Sequence, residues 1–160
     1  MQFYLKYWLL SGCMLLLVAC GHQKSQNLQV FYYNEARGVA TLDPAFAKSQ
    51  SVMWPIHQLF NTLVVLDSNL NVQPSLATSW EISPDKLIYT FHLRADVYFQ
   101  DDGAFAGGKG RKMTAKDVAF SLNRIIDNKT ASTGAWIFNG RIATDGFKAL
   151  NDSTFELKLV

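Results

Sequence analysis

The sequence predicts an α+β protein with mostly antiparallel pairing, and three stretches carry that prediction. From Leu87 to Leu93 the residues alternate, with Leu87, Tyr89, Phe91 and Leu93 on one face and Ile88, Thr90 and His92 on the other. Turn chemistry at Ser83-Pro84-Asp85-Lys86 precedes them, so the stretch reads as a hairpin ending in a half-buried strand. Thr114-Ala115-Lys116-Asp117 then offers a threonine N-cap with a carboxylate in the first helical turn. Val118, Leu122, Ile125 and Ile126 make a single apolar stripe behind it, and Asp127-Asn128 ends the helix. The third stretch is a last hairpin, with Phe147 to Leu150, a turn at Asn151-Asp152-Ser153, and Thr154 to Val160 carrying Phe155, Leu157 and Leu159 on one face.

A chain of 160 residues with 49% hydrophobic and 18% charged residues is enough for about one domain with a real core. Its formal charge is +2, and residues 1–19 contribute Lys6 and no acid, so the remainder carries 14 basic against 13 acidic residues. That balance gives no electrostatic case for nucleic acid as a partner. The basic run at Lys109, Arg111 and Lys112 is interleaved with Gly107, Gly108 and Gly110 and reads as a solvated loop.

In chain order, Lys6 and the amino terminus form a thin positive region before an apolar run from Tyr7 to Val18, interrupted only by Ser11 and Gly12. The run is shorter than the roughly 20 apolar residues a permanent span needs and suits the core of a secretory signal. Leu10-Ser11-Gly12-Cys13 and Leu17-Val18-Ala19-Cys20 both resemble a bacterial lipobox. Length favours Cys20, because processing before Cys13 leaves an apolar core below the roughly 7 to 15 residues a signal uses. The alternative is that both cysteines are ordinary small residues of a signal helix. Either way no cysteine pair remains for a disulfide after export.

Gly21 to Asn27 is polar and reads as a tether, and Leu28 to Tyr33 alternates as a strand that can be buried on both faces. Asn34 to Leu42 is a loop ended by Asp43-Pro44. Ser51 is the expected cap of a short helix with Pro55 near its first turn and Ile56, Leu59, Phe60 and Leu63 on one face. Leu63 to Leu66 is strand-like, Asp67-Ser68-Asn69 is a turn, and Val72 to Ala77 leads into the first hairpin. Trp80 and Phe91, on either side of one turn, are expected in one core. Ala131 to Gly140 is a loop holding Trp136 and Phe138.

No enzyme is expected. His22, His57 and His92 stand far apart without metal-ligand spacing, so no metal or cofactor site is expected. Gly103 to Gly110 lacks phosphate-loop spacing, and no serine has a nucleophile-elbow context.

Taken as an ordered series, a family resemblance emerges. The series runs Ala77, Ser79-Trp80, Asp85, Tyr89-Thr90-Phe91, Leu93-Arg94, Phe99, Asp102-Gly103 and Thr114-Ala115-Lys116-Asp117, with Leu42-Asp43-Pro44 upstream. It resembles the extracytoplasmic solute-binding proteins of peptide ABC transporters, the family that includes oligopeptide-, dipeptide- and nickel-binding proteins. The likeness covers nearly all of residues 28–160. It implies the N-terminal part of a periplasmic-binding-protein-like (type II) clamshell, namely the first strand of lobe 1 plus its attached subdomain, with the second lobe absent. It divides the chain into a signal peptide over residues 1–19, a lipidated N-terminus and tether over 20–27, and a partial solute-binding domain over 28–160. The partners it implies are a peptide ligand, the permease subunits of an ABC importer, and a membrane reached through lipid on Cys20. The implied location is the cell envelope, facing the periplasm or the extracellular side.

In the resembled proteins the segment just after Leu-Asp-Pro and the loop after the Thr-Ala-x-Asp helix approach the ligand cleft. Carried onto this chain, the candidate ligand-binding residues are Lys48, Ser49, Gln50 and Trp136. Trp136 is the one that a loop position leaves least explained by packing. Lys48 stands where the oligopeptide-binding member has an acid, so its ligand chemistry does not transfer. Two readings follow. Lineage favours the N-terminal part of a peptide-binding lipoprotein, whereas the missing lobe favours a truncated, non-binding, lipid-anchored remnant.

Overall fold

The computed structural model describes residue 30 and residues 32–160. The expected signal segment, both cysteines, His22 and the tether lie outside the described residues. The chain divides into two units, Met1–Asn34 and Glu35–Val160. Of the first, the described residues Val30, Tyr32 and Tyr33 stand in no strand, and the remaining members of the expected strand, Leu28, Gln29 and Phe31, are not described.

In the second unit the central element is a four-stranded antiparallel sheet of β3 (Ala77–Ile82), β4 (Ile88–Leu93), β5 (Ile142–Asn151) and β6 (Thr154–Leu159), in the order β3-β4-β6-β5. Alternation sets the register. Trp80 faces Phe91, Phe91 faces Phe155, and Phe155 faces Ala149, so these side chains share one face of the sheet. Ser79 with His92, Glu81 with Thr90, and Lys148 with Glu156 share the other, which is the polar one. Asp85 shapes the β3–β4 turn by accepting from the Leu87 amide at 3.0 Å, and the Ser83 hydroxyl donates to the same carboxylate.

Helix α2 (Ala115–Ile126) covers the apolar face. Val118, Ala119, Leu122 and Ile126 pack on a cluster of Ala77, Leu93, Met113, Ala115, Phe147 and Phe155, with Phe155 fully buried. The helix starts at Thr114 as the sequence predicts. The Thr114 amide donates to Asp117 Oδ2 at 2.8 Å, and Arg111 forks onto the same carboxylate, which holds Asp117 below the usual carboxylate range. Its first residue is tied to the last hairpin, where the Ala115 amide donates to the Asp152 carbonyl at 2.9 Å. Further along, Asn123 Nδ2 donates to the Phe147 carbonyl at 3.2 Å, so side-chain bonding as well as packing holds helix to sheet.

Strand β5 departs from expectation because it begins at Ile142 rather than Phe147. It advances from Ile142 to Phe147 while β6 moves only from Leu159 to Leu157, so the extra residues form a bulge. Asp145, with φ 56°, and Gly146 make the bend. Gly146 has no alternative there, since a Cβ would stand 2.6 Å from the Lys158 carbonyl oxygen and 2.5 Å from Ile142 Cγ2.

The N-terminal elements are smaller. Asp43 starts a 3-10 turn at Pro44–Phe46, and helix α1 follows at Gln50–Leu59. Ser49, not Ser51, is its N-cap residue, so Pro55 falls in the helix interior rather than the first turn. The buried residues of α1 are Val52 and Ile56, whereas Leu59 and Phe60 are exposed. The sequence reading followed the apolar run past the helix end and so rotated the buried face. Strands β1 (Val64–Leu66) and β2 (Val72–Pro74) pair across the Asp67 turn. Asp67 accepts from the amides of Asn69 and Asn71 and from Gln73 Nε2, which fixes that turn.

Trp80 corrects a second expectation. It lies on the core-facing side of the sheet opposite Phe91, but β3 is an edge strand and Trp80 is only half-buried, outside the core cluster. Trp80→Ala is therefore expected to cost about 1–2 kcal/mol, against about 3–5 kcal/mol for Phe155→Ala. Urea unfolding of the two variants measures the difference. Equal losses would show that Trp80 carries the core after all.

Candidate functional site

The turn at Asp43 and the loop after α2 are far apart in sequence and are joined in space by two sets of hydrogen bonds. Arg124, in the last turn of α2, donates from Nη1 to Asp43 Oδ1 at 2.7 Å and from Nη2 to Asp43 Oδ2 at 2.6 Å. Both partners are partly buried, and the two parallel bonds fix orientation as well as distance. The Arg124 hydrogen bonds hold Asp43 below the usual carboxylate range; burial opposes them, and the Ala45 amide adds a smaller lowering.

The second tie is Ser132, which is 9% exposed. Its hydroxyl donates to the Ala45 carbonyl at 2.5 Å and accepts from the Gly134 amide at 3.1 Å. One side chain thus links the backbone after Asp43-Pro44 to the backbone that leads into Trp136. The Asp43 carboxylate serves both ends of the arrangement, since Oδ1 also accepts from the Ala45 amide at 3.0 Å.

These ties locate the four predicted residues. Lys48, Ser49 and Gln50 follow the tied turn, and all are exposed. Ser49 leads into α1, where its carbonyl accepts from the Val52 and Met53 amides, while its hydroxyl meets that of Ser51 at 3.0 Å. Trp136 sits in a 3-10 turn at Ala135–Ile137 and is 69% exposed. Phe138, two residues on, packs edge-to-face on Phe147 at 5.2 Å between ring centres. The loop is therefore pinned at Ser132 and at Phe138, with Trp136 carried outward between the pins. Arg141 stiffens it further by donating from Nη1 to the Ile137 carbonyl at 2.9 Å.

The sequence marks Asp43 only as part of Leu42-Asp43-Pro44, and its bonds to Arg124, like the bond from Ser132 to Ala45, are not foreseen there. The signal for Arg124 was generic, a basic residue in the last helical turn, and nothing local to Ser132 marks its distant partner.

Chemically, this edge offers an ammonium at Lys48, first-turn amides of α1 that favour negative charge, and an indole face. Such a set suits an anionic or carbonyl group beside an apolar one. Among the described residues, no three His, Cys, Asp or Glu side chains gather where they could hold a metal ion. His92 instead meets Glu81 at 3.1 Å on the polar face of the sheet, and His57 lies exposed on α1.

Comparison with known proteins gives this geometry a context. The family described as bacterial extracellular solute-binding proteins, family 5 Middle, matches residues 71–160. The chain is 32% identical over 145 residues to the probable deoxycholate-binding periplasmic protein YgiS of Escherichia coli, covering 82% of this chain and 26% of that one. It is 30% identical over 162 residues to the dipeptide-binding protein of Lactococcus lactis, covering 94% of this chain and 28% of that one. Among solved structures it resembles the periplasmic binding protein DppA of Helicobacter pylori in complex with the peptide STSA. The TM-score there is 0.64 at 34% identity, over 76% of this chain and 25% of that one. The chain spans about a quarter of the length of these relatives.

The Asp43–Arg124 pair sets an acid dependence. Because the folded state lowers the Asp43 pKa, the pair contributes stability above the unfolded value of about 3.9 and loses it as pH falls through the lower folded value. Wild type is expected to be more stable than Asp43→Asn at neutral pH, with the gap closing below about pH 4. Thermal melts of both proteins across pH measure the gap. A gap independent of pH would show that the carboxylate's charge is not what holds the turn.

Proposed function

The chain belongs to the bacterial extracellular solute-binding proteins of family 5, and from that premise we propose that it forms the N-terminal portion of the peptide-binding component of an ABC importer. The family consists of substrate-binding transport proteins rather than enzymes, and its members work outside the cytoplasm. The observation that supports the finer reading is the pair of ties at Asp43–Arg124 and Ser132–Ala45, which join the backbone shortly before Lys48 to the end of α2 and to the loop that leads into Trp136. In this reading Lys48 and the start of α1 receive a carboxylate or carbonyl of the ligand, and Trp136 stacks on its apolar part. The peptide class is supported by the relatives named for dipeptides and for a bound peptide, and the relative named for deoxycholate marks the family's ligand range.

Membrane attachment belongs to the same proposal. Cys20 is the lipid acceptor, and the mature protein is held at the envelope surface facing outward, with permease subunits as its partners. Acyl chains on one cysteine anchor by burial of methylenes at about 0.8 kcal/mol each.

Two experiments test these points. Metabolic labelling with palmitate is expected to mark wild type and Cys13→Ser but not Cys20→Ser, and label persisting in Cys20→Ser would sink the assignment. For binding, a single wall leaves much of a ligand in water and cannot close over it. Residues 21–160 alone are expected to hold di- to pentapeptides no more tightly than about millimolar, near −4 kcal/mol. The same region in a frame of the relatives' length is expected to reach about micromolar or better. Calorimetry against a mixed peptide library compares the two. Absence of peptide binding by the longer protein would overturn the peptide reading.

A further inference from the structure

We propose that Asn139-Gly140 is a modification site, at which the chain converts its own side-chain amide to aspartate or isoaspartate in the loop that carries Trp136. This inference does not depend on what the protein binds. The sequence contains this one Asn-Gly step. In the reaction the Gly140 main-chain nitrogen gives its proton to base and attacks Cγ of Asn139. A bond forms between that nitrogen and Cγ, the bond from Cγ to Nδ2 breaks, and ammonia leaves. Water then opens the resulting five-membered imide. Opening at the side-chain carbonyl gives aspartate, and opening at the main-chain carbonyl gives isoaspartate. No oxidant, metal or enzyme is required.

The structure leaves both reacting groups available. Asn139 and Gly140 are exposed, and among the described residues neither the Asn139 carboxamide nor the Gly140 amide has a hydrogen-bond partner. Gly140 holds φ at 68°, and the space a Cβ would occupy there is open, with nothing within 4 Å. The flanking amides are both engaged. Asn139 N donates to the Ala135 carbonyl at 3.0 Å and Arg141 N to the Phe138 carbonyl at 2.9 Å. The gap between these two held amides is where the nucleophile and electrophile lie.

Three other asparagines have engaged side chains. Asn123 donates to the Phe147 carbonyl, Asn71 to Asp67, and Asn151 Oδ1 accepts from the Ser153 amide.

The product would alter the loop in two ways. It adds a carboxylate close in sequence to Arg141, whose guanidinium holds the Ile137 carbonyl. As isoaspartate it also lengthens the main chain between the pin at Phe138 and strand β5.

The test incubates the full chain, folded and in urea, at mildly alkaline pH. Released ammonia is measured, and peptide maps are scored with isoaspartyl methyltransferase. Folded wild type is expected to convert at residue 139 at the pace of the unfolded chain. Asn139→Gln is expected to lose the conversion, because its longer side chain closes the ring poorly. Gly140→Ala is expected to convert roughly tenfold more slowly in urea, where its fold is not at issue. A folded chain that keeps its amide while the unfolded chain converts would overturn the proposal, as would methyl acceptance persisting at this peptide in Asn139→Gln.

Discussion

Everything in the Glu35–Val160 unit depends on one requirement, that the apolar face of the β3-β4-β6-β5 sheet be shielded from water by α2. A sheet with one oily face and one polar face has no stable place in solution until something covers the former. Here the cover is the stripe of Val118, Ala119, Leu122 and Ile126, and its placement is set at both ends. The Ala115 amide on the Asp152 carbonyl fixes the start, and Arg124 on Asp43 fixes what lies beyond the finish. The helix thereby becomes the reference to which the Asp43 turn and the Trp136 loop are both attached. The candidate wall is a consequence of how the sheet is covered.

Elements whose identity lies in short-range pattern were legible from sequence. Alternation through Tyr89, Phe91 and Leu93 and through Phe155, Leu157 and Leu159 places these residues on the core side, and the structure pairs them across β4 and β6. The threonine cap before α2 was equally legible, because its partner Asp117 lies three residues away. What escaped was set by distance or by position within the sheet. Trp80 alternates as a core residue should, yet an edge strand lacks the neighbour that would finish its burial. The last hairpin was expected to begin at Phe147, and only the pairing with β6 shows Asp145-Gly146 as a bulge inside a longer strand. Ser51 was the expected cap of α1, whereas the cap is Ser49 and Pro55 lies in the helix interior.

The site shows the same division. Lys48, Ser49, Gln50 and Trp136 were named through family likeness, whereas the groups that tie their segments together were not. Arg124 and Ser132 act on residues more than eighty positions away, and no periodicity carries that information. Arg124 ties the Asp43 turn to the end of α2, and Ser132 ties the Ala45 carbonyl to the loop that leads into Trp136.

The strand order also has a kinetic meaning. β6 lies between β4 and β5, so Tyr89 has to meet Leu157 across about half of the Glu35–Val160 unit, while β3–β4 and β5–β6 join near neighbours in sequence. Local hairpins and a capped helix form quickly, and closing a long loop to bring β4 and β6 together comes at an entropic cost. On that ground the zipping of one finished hairpin onto another along the central seam is expected to be the slow event in folding. Until it occurs, the face bearing Phe91 and the face bearing Phe155 stay open to solvent. During that interval the chain is most exposed to aggregation and to proteases.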